Sequence, residues 1–148
     1  MNTVKDLLEA KGKRPNYSVA ADASVFEALK VMAEANIGAV MVMEGDKVVG
    51  IFTERDYARK GELQGRCAKD TLMREVMVEK MVTVTPNTTV EQCMALMRQF
   101  HIRHLPVVEN NQMVGIVSLR DVMEAAVQSL ESEIRGLENY ILSSGFQG

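Results

Sequence analysis

The chain carries the same segment twice. Displaced against itself by 65 residues, it aligns without a gap from Val19–Asp56 onto Val84–Asp121. Val25 falls on Val90, Met32 on Met97, Ile37 on Ile102, Val42 on Val107 and Glu44 on Glu109. Val49-Gly50-Ile51 falls on Val114-Gly115-Ile116, and Arg55-Asp56 falls on Arg120-Asp121. A fixed internal period usually dictates architecture, and two copies are too few for an open solenoid. They predict a closed, pseudo-symmetric pair, in which clefts between the halves come in twos.

Each copy reads as strand, helix, strand, strand, helix. Tyr17-Ser18-Val19-Ala20 is a short extended piece. Ser24 with Glu27 forms the pattern of a capping box, and Val25, Ala28, Leu29, Met32 and Ala33 follow at helical spacing. Thr89 with Gln92, followed by Val90, Cys93, Met94 and Met97, repeats the cap and the face in phase. Two apolar runs around a polar turn come next in each copy. Ala39–Met43 leads through Glu44-Gly45-Asp46-Lys47 into Val48–Phe52, and Leu105–Val108 through Glu109-Asn110-Asn111-Gln112 into Met113–Val117. Gly, Asp and Asn tolerate the positive φ of tight hairpins. Runs this apolar predict strands covered on both faces.

The expected division is a first copy with an N-terminal helix (1–60), a connection ending in a short helical stretch (61–80), a second copy (81–123) and a helical tail (124–148). In the tail, Met123, Val127, Leu130, Ile134, Leu137 and Ile141 are spaced 4, 3, 4, 3, 4, a heptad seam interleaved with charge. Such a helix either packs on its own domain or forms a dimer contact, and the dimer contact is the favoured reading.

Composition narrows the function classes. A hydrophobic content of 47% in 148 residues is ample for a core, built from aliphatic side chains and eleven Met because Trp is absent. A net charge of −3 counts against nucleic acid and against anionic membranes, as does the scarcity of aromatics for base stacking. The polar start Met1-Asn2-Thr3-Val4-Lys5-Asp6 and the lack of a long apolar run give neither a signal-peptide pattern nor a membrane span, so a cytoplasmic protein is expected. Cys67 and Cys93 read as reduced thiols there, and His101 and His104 are too few for a zinc site. No metal is expected.

The chemistry sits at the two repeat ends, Gly50-Ile51-Phe52-Thr53-Glu54-Arg55-Asp56 and Gly115-Ile116-Val117-Ser118-Leu119-Arg120-Asp121. A buried strand ends in a hydroxyl, a helix begins, and an aspartate follows three residues later with an arginine before it. The helix N-terminus suits a phosphate, the hydroxyl and arginine add donors, and the carboxylate can accept from ribose hydroxyls. Thr53 with Asp56 and Ser118 with Asp121 are equally plain capping boxes. In His101-Ile102-Arg103-His104-Leu105-Pro106-Val107-Val108, two basic residues lie where a helix gives way to a strand, and Pro106 removes a donor, so an edge or irregular start is expected. The first copy has Asn36-Ile37-Gly38-Ala39-Val40 instead, where glycine lets a flat ring approach the backbone.

The repeat order, the apolar-Gly-apolar-apolar-(Thr/Ser)-x-x-Asp ends and the Arg103-His104-Leu105-Pro106-Val107-Val108 segment resemble a pair of cystathionine-β-synthase (CBS) domains, the Bateman module. Thr53-Glu54-Arg55-Asp56-Tyr57-Ala58-Arg59-Lys60 is similar to stand-alone bacterial and plant members, and the resemblance spans roughly Val4–Met123. It implies an α+β fold of two β-α-β-β-α repeats, packed about a pseudo-twofold axis through their sheets, with the long C-terminal amphipathic helix appended. It also implies a disk-like homodimer and clefts that bind an adenine nucleotide: AMP, ADP, ATP, S-adenosylmethionine or NAD. Carried over, Asp56 and Asp121 hold ribose hydroxyls, while Thr53, Ser118, Arg55 and Arg120 approach phosphate. Ser18, Val19, Thr83, Val84 and the backbones of Gly38, Ala39 and Ile102, Arg103, His104 and Leu105 with Pro106 meet the base. Arg103 and His104 could also reach phosphate, which makes the second cleft the stronger candidate.

The expected function is therefore a regulatory, energy- or redox-sensing module with AMP as the first-choice ligand, passing a conformational change to a regulated protein yet to be identified. An interaction scaffold with vestigial clefts is the alternative. A nucleotide-processing enzyme lacks a nucleophile–base pair, a metal cluster or a phosphate loop in the sequence.

Overall fold

A computed structural model of the chain describes residues 2–12 and 17–143. Residues 144–148 of the expected tail lie outside the described residues. The elements are α1 (Val4–Lys11), β1 (Ser18–Ala20), α2 (Val25–Ala35), β2 (Ala39–Glu44), β3 (Lys47–Thr53), α3 (Glu54–Asp56), α4 (Met73–Val76), α5 (Val90–Phe100), β4 (His104–Glu109), β5 (Gln112–Ser118) and α6 (Leu119–Ser143). β1-β2-β3 form one sheet and β4-β5 another.

The two hairpins match in detail. β2 pairs with β3 and β4 with β5, each with a bulge at the same phase, between Val42 and Met43 and between Val107 and Val108. Gly45, Asn110 and Asn111 turn the hairpins with φ of +59°, +53° and +62°. Both helices begin at the expected caps, but the box at Ser24 is only half formed. The Ser24 hydroxyl accepts from the Glu27 amide, and Thr89 makes both halves of its box with Gln92. α2 and α5 end in left-handed residues at equivalent positions, Asn36 (φ 55°) and His101 (φ 53°). After β3 the expected helix is only the three-residue α3, followed by a π-type turn over Tyr57–Gly61.

The first strand of the second copy is reduced to one parallel bridge, Val84 to Val107, where Val19 pairs with Val42 in the first copy. Two prolines account for this. In the first copy the Met41 amide donates to Tyr17 O and the Ala21 amide donates to Met43 O. The equivalent positions are Pro106 and Pro86, which have no N–H to give. Only the bonds through Val84 survive, its amide to Pro106 O at 3.0 Å and its carbonyl from the Val108 amide at 2.8 Å.

The segment that precedes each copy packs on the other one. α1 puts Val4 and Leu7 into the core of the second copy, beside Val90, Cys93, Met97 and Leu105. α4 puts Met73 and Val76 into the core of the first, beside Val25, Ala28, Met32 and Phe52. The hydrogen bonds repeat across this exchange. Val4 N donates to Thr88 O and Val90 N to Asn2 O, while Met73 N donates to Ala23 O and Val25 N to Thr71 O. The hairpin glycines make room for it: a Cβ on Gly115 would lie 2.8 Å from Leu8 Cδ2, and one on Gly50 would lie 2.8 Å from Met77 Sδ. Between the sheets, Ala39, Met41 and Ile51 pack with Met113, Ile116 and Val78.

α6 runs for 25 residues and buries only Val122 and Ala125. Beyond its first two turns the helix leaves the body of the molecule.

Candidate functional site

The two repeat ends are built alike. Asp56 Oδ2 accepts from the Thr53 amide and hydroxyl, each at 3.0 Å, and Thr53 Oγ1 accepts from the Asp56 amide at 3.2 Å. Asp121 Oδ2 accepts from the Ser118 amide at 2.8 Å, and Ser118 Oγ accepts from the Asp121 amide at 3.2 Å. Both pairs are therefore capping boxes. Capping occupies one oxygen of each carboxylate: all of these bonds fall on Oδ2. Capping and ligand holding are thus compatible roles for one side chain.

At the second repeat end a further residue enters. Lys11, at the end of α1, donates from Nζ to Asp121 Oδ2 at 2.8 Å and to Ile116 O at 3.0 Å. The first copy handles the equivalent carbonyl differently, since Ile51 O accepts from the Val78 amide at 2.8 Å. Passing backbone closes that sheet edge in the first copy, whereas a long cationic side chain reaches it in the second. Burial pushes the Asp121 carboxyl up, but the Lys11 and Ser118 hydrogen bonds and the Lys11 charge outweigh it and hold the group below its ordinary value. Asp121 is accordingly ionised at neutral pH.

A cleft of about 1120 Å3 opens over this end. Leu7, Leu8, Ala10, Lys11 and Gly12 line it from α1 and its end, and Asn36, Ile37, Gly38 and Ala39 from the corner between α2 and β2. Val114, Gly115, Ile116, Ser118 and Asp121 line it from β5 and the start of α6, with Tyr17, His104, Arg120, Glu124, Ala125 and Gln128 completing the lining. His104 leans on Gly38, for a Cβ there would lie 3.5 Å from both Cε1 and Nε2 of the ring. Burial, then the Lys11 charge, lower the imidazole pKa against the pull of Asp121. His104 is therefore neutral at pH 7 and offers a hydrogen bond rather than a charge.

Of the residues expected from sequence, Gly38, Ala39, His104, Ser118, Arg120 and Asp121 meet in this cleft. The others lie outside it. Ser18 and Val19 follow Tyr17 into β1, and Thr53, Arg55 and Asp56 stand at the other repeat end. Arg55 donates to His101 O at 3.1 Å, tying the first copy to the end of α5. Arg120 pairs instead with Glu124 on the exposed face of α6. The Arg103 carbonyl accepts from the Leu119 amide at 2.8 Å, as Gly38 O accepts from Glu54 N. Thr83 leads into the Val84 bridge, Ile102 closes the α5 turn, and Leu105 and Pro106 are buried. Sequence reasoning missed Lys11, Tyr17, Asn36 and Gln128.

Among the described residues there is no group of three or more His, Cys, Asp or Glu able to hold a metal, and no helix is long and apolar enough to cross a membrane.

Comparison with known proteins agrees with this architecture. A family model of the CBS domain matches residues 4–62 and again 73–128. The chain is 40% identical over 147 residues to the mitochondrial CBS domain-containing protein CBSX3 of Arabidopsis thaliana, covering 94% of this chain and 71% of that one. A solved structure of a protein with CBS domains from Burkholderia ambifaria MC40-6 superposes with a TM-score of 0.82 at 41% identity, covering 85% of this chain and 94% of the other. The CBS domain pair of protein MJ0100, solved in complex with 5′-methylthioadenosine and S-adenosyl-L-methionine, superposes with a TM-score of 0.75 at 27% identity over 86% of this chain and 97% of that one. With two matched copies spanning most of its length, the chain belongs to the CBS domain family and is a CBS domain pair.

Proposed function

We propose that this CBS pair is a sensor that binds an adenine nucleotide in the Asp121 cleft and reports it to a regulated protein. One observation carries the reading. An ionised aspartate with a capping bond on one oxygen faces a cleft that both copies build, lined by Lys11 and Arg120 for an anion. The volume suits a ligand of nucleotide size. The adenosyl ligands of the MJ0100 pair support the class.

AMP is the first-choice ligand, because one phosphate matches the cations at hand. ADP, ATP, NAD and S-adenosylmethionine remain the competitors that a titration ranks. Asp121 takes the ribose, the Gly38–Ala39 backbone meets the ring, and Lys11 with Ser118 and Arg120 faces the phosphate. The Asp56 end forms the second, weaker site of the pair.

The mechanism is differential binding. α1, the hairpin of the second copy and the Asn36–Ala39 corner of the first all touch the cleft, so a ligand there favours one mutual placement of the copies. It shifts a partner only by its difference in affinity between those placements. The module works as a homodimer in a reducing compartment such as the cytoplasm, where the free thiols Cys67 and Cys93 stay reduced, and it carries out no catalysis of its own. The test is a calorimetric titration of nucleotide-stripped protein with AMP, ATP, S-adenosylmethionine and NAD. Saturable binding with one ligand clearly preferred is expected; no binding of any, with the fold intact, rejects the sensor and leaves a scaffold.

A further inference from the structure

Lys11 stands at the Asp121 end where two different groups stand at the Asp56 end. Its Nζ donates to Ile116 O at 3.0 Å, the place that the Val78 amide takes on Ile51 O at 2.8 Å. It also donates to Asp121 Oδ2 at 2.8 Å, the place that the Thr53 hydroxyl takes on Asp56 Oδ2 at 3.0 Å. One ammonium therefore replaces a backbone amide and a side-chain hydroxyl.

The replacement leaves donors unmatched. In an antiparallel pair the N–H and C=O of one residue leave the strand on the same side. The Ile116 carbonyl points out of β5 to Lys11, so the Ile116 amide points out of the sheet edge as well. At the first end the matching Ile51 amide donates to Val78 O at 3.0 Å. At the second end no acceptor among the described residues meets the Ile116 amide. The residue in the place of Val78 is Glu9, which stays inside α1 and offers no backbone to the edge. Ser118 Oγ accepts from the Asp121 amide, but its hydrogen does not go to the carboxylate as that of Thr53 does. Lys11 keeps a third hydrogen beyond its two bonds. All three residues line the cleft.

We propose that these three donors, the Ile116 amide, the Ser118 hydroxyl and the Lys11 ammonium, form a receiving pocket for a phosphate group, and that the Asp56 end has no such pocket. Phosphate is the matching chemistry, because it brings three acceptor oxygens and a negative charge to an ammonium. A ring nitrogen or a single carbonyl leaves two of the donors unmatched. At the first end the equivalent groups are satisfied from within the chain, by Val78 and Asp56. The inference rests on the sensing reading and deepens it. The cleft takes a phosphorylated adenosine, one per chain, and selects it over adenosine and over adenosyl compounds without phosphate.

The test uses the full isotope-labelled chain, freed of nucleotide, with AMP and adenosine as probes. Amide hydrogen exchange is read by NMR at Ile116 and, for reference, at Ile51. The free protein exchanges Ile116 fast and Ile51 slowly. AMP slows Ile116 at least about tenfold and leaves Ile51 unchanged, while adenosine slows neither. By calorimetry AMP binds at least about tenfold more tightly than adenosine, with one AMP per chain at that strength. Lys11→Met brings the ratio of the two affinities close to one. The exchange readings use the unaltered chain, so they decide the matter even where Lys11→Met folds poorly. AMP binding without slowed exchange at Ile116, two equal AMP sites per chain, or an unchanged ratio in folded Lys11→Met overturns the inference. Equal binding of adenosine and AMP removes the phosphate pocket and leaves the sensing reading standing. No binding of either probe rejects both.

Discussion

Lys11 and Asp121 are 110 positions apart in the chain and 2.8 Å apart in space. The pair joins α1, which precedes the first copy, to the cleft-lining carboxylate of the second. It is partly shielded, with side-chain exposures of 30% and 17%. Lys11 does two things there: it saturates the Ile116 carbonyl at an open sheet edge and keeps Asp121 ionised. It also makes the two ends of the pair unequal, for the first copy closes its edge with the Val78 backbone instead.

Acidification should destabilise the protein in two steps. His104 has a folded pKa below its ordinary 6.5, so the stability of its neutral form is present above that value and is lost as pH falls through the folded one. Asp121 has a folded pKa below 3.8, so its contribution is complete above that value and disappears only in stronger acid. Thermal melts against pH check this. His104→Gln removes the first loss, and Asp121→Asn removes the second while costing about 2 kcal/mol near neutrality.

Replacing the two hairpin glycines should have unequal effects. An alanine at Gly50 meets the Val78 carbonyl at 3.0 Å as well as the Met77 sulfur, and backbone cannot step aside. At Gly115 the obstacle is Leu8 alone, the far end of a flexible side chain. Gly50→Ala is expected to cost about 1–3 kcal/mol and Gly115→Ala less, as read by denaturant unfolding.

The exchange of leading segments predicts where damage appears. Met73 and Val4 are fully buried. Met73→Ala should cost about 2–5 kcal/mol and Val4→Ala a smaller amount, each through the copy it packs on. Amide hydrogen exchange should rise in α5 for Val4→Ala and in α2 for Met73→Ala. Damage confined to each residue's sequence neighbours would contradict the exchange.

Much of this fold was legible in the sequence because its signals are local. The caps at Ser24 and Thr89 and the hairpin turns depend on residues a few positions apart, and the 65-residue offset multiplied each signal by two. The irregular start at Pro106 was also readable, although Pro86, its accomplice in shortening the first strand, was not recognised. The exchange was invisible for a definite reason. Equivalent residues of the leading segments, such as Val4 and Met73, are offset by 69 rather than 65, and neither carries a motif. Lys11 was missed for the same reason, since nothing near it in sequence signals a carboxylate. Arg55 shows where local and long-range signals part. Its place in the motif marked it for phosphate, and the fold turns it to the His101 carbonyl.

The central claim is that Asp121 holds a nucleotide and is more than a helix cap. Calorimetric titration with AMP of the wild type, Asp121→Ala and Asp56→Ala, beside their melting temperatures, tests it most directly. The account predicts that Asp121→Ala weakens the tighter site at least about tenfold, the loss of a charged hydrogen bond, while Asp56→Ala leaves that site in place. Unchanged affinity in Asp121→Ala, with only the about 2 kcal/mol stability loss of the missing Lys11 and Ser118 bonds, would contradict it.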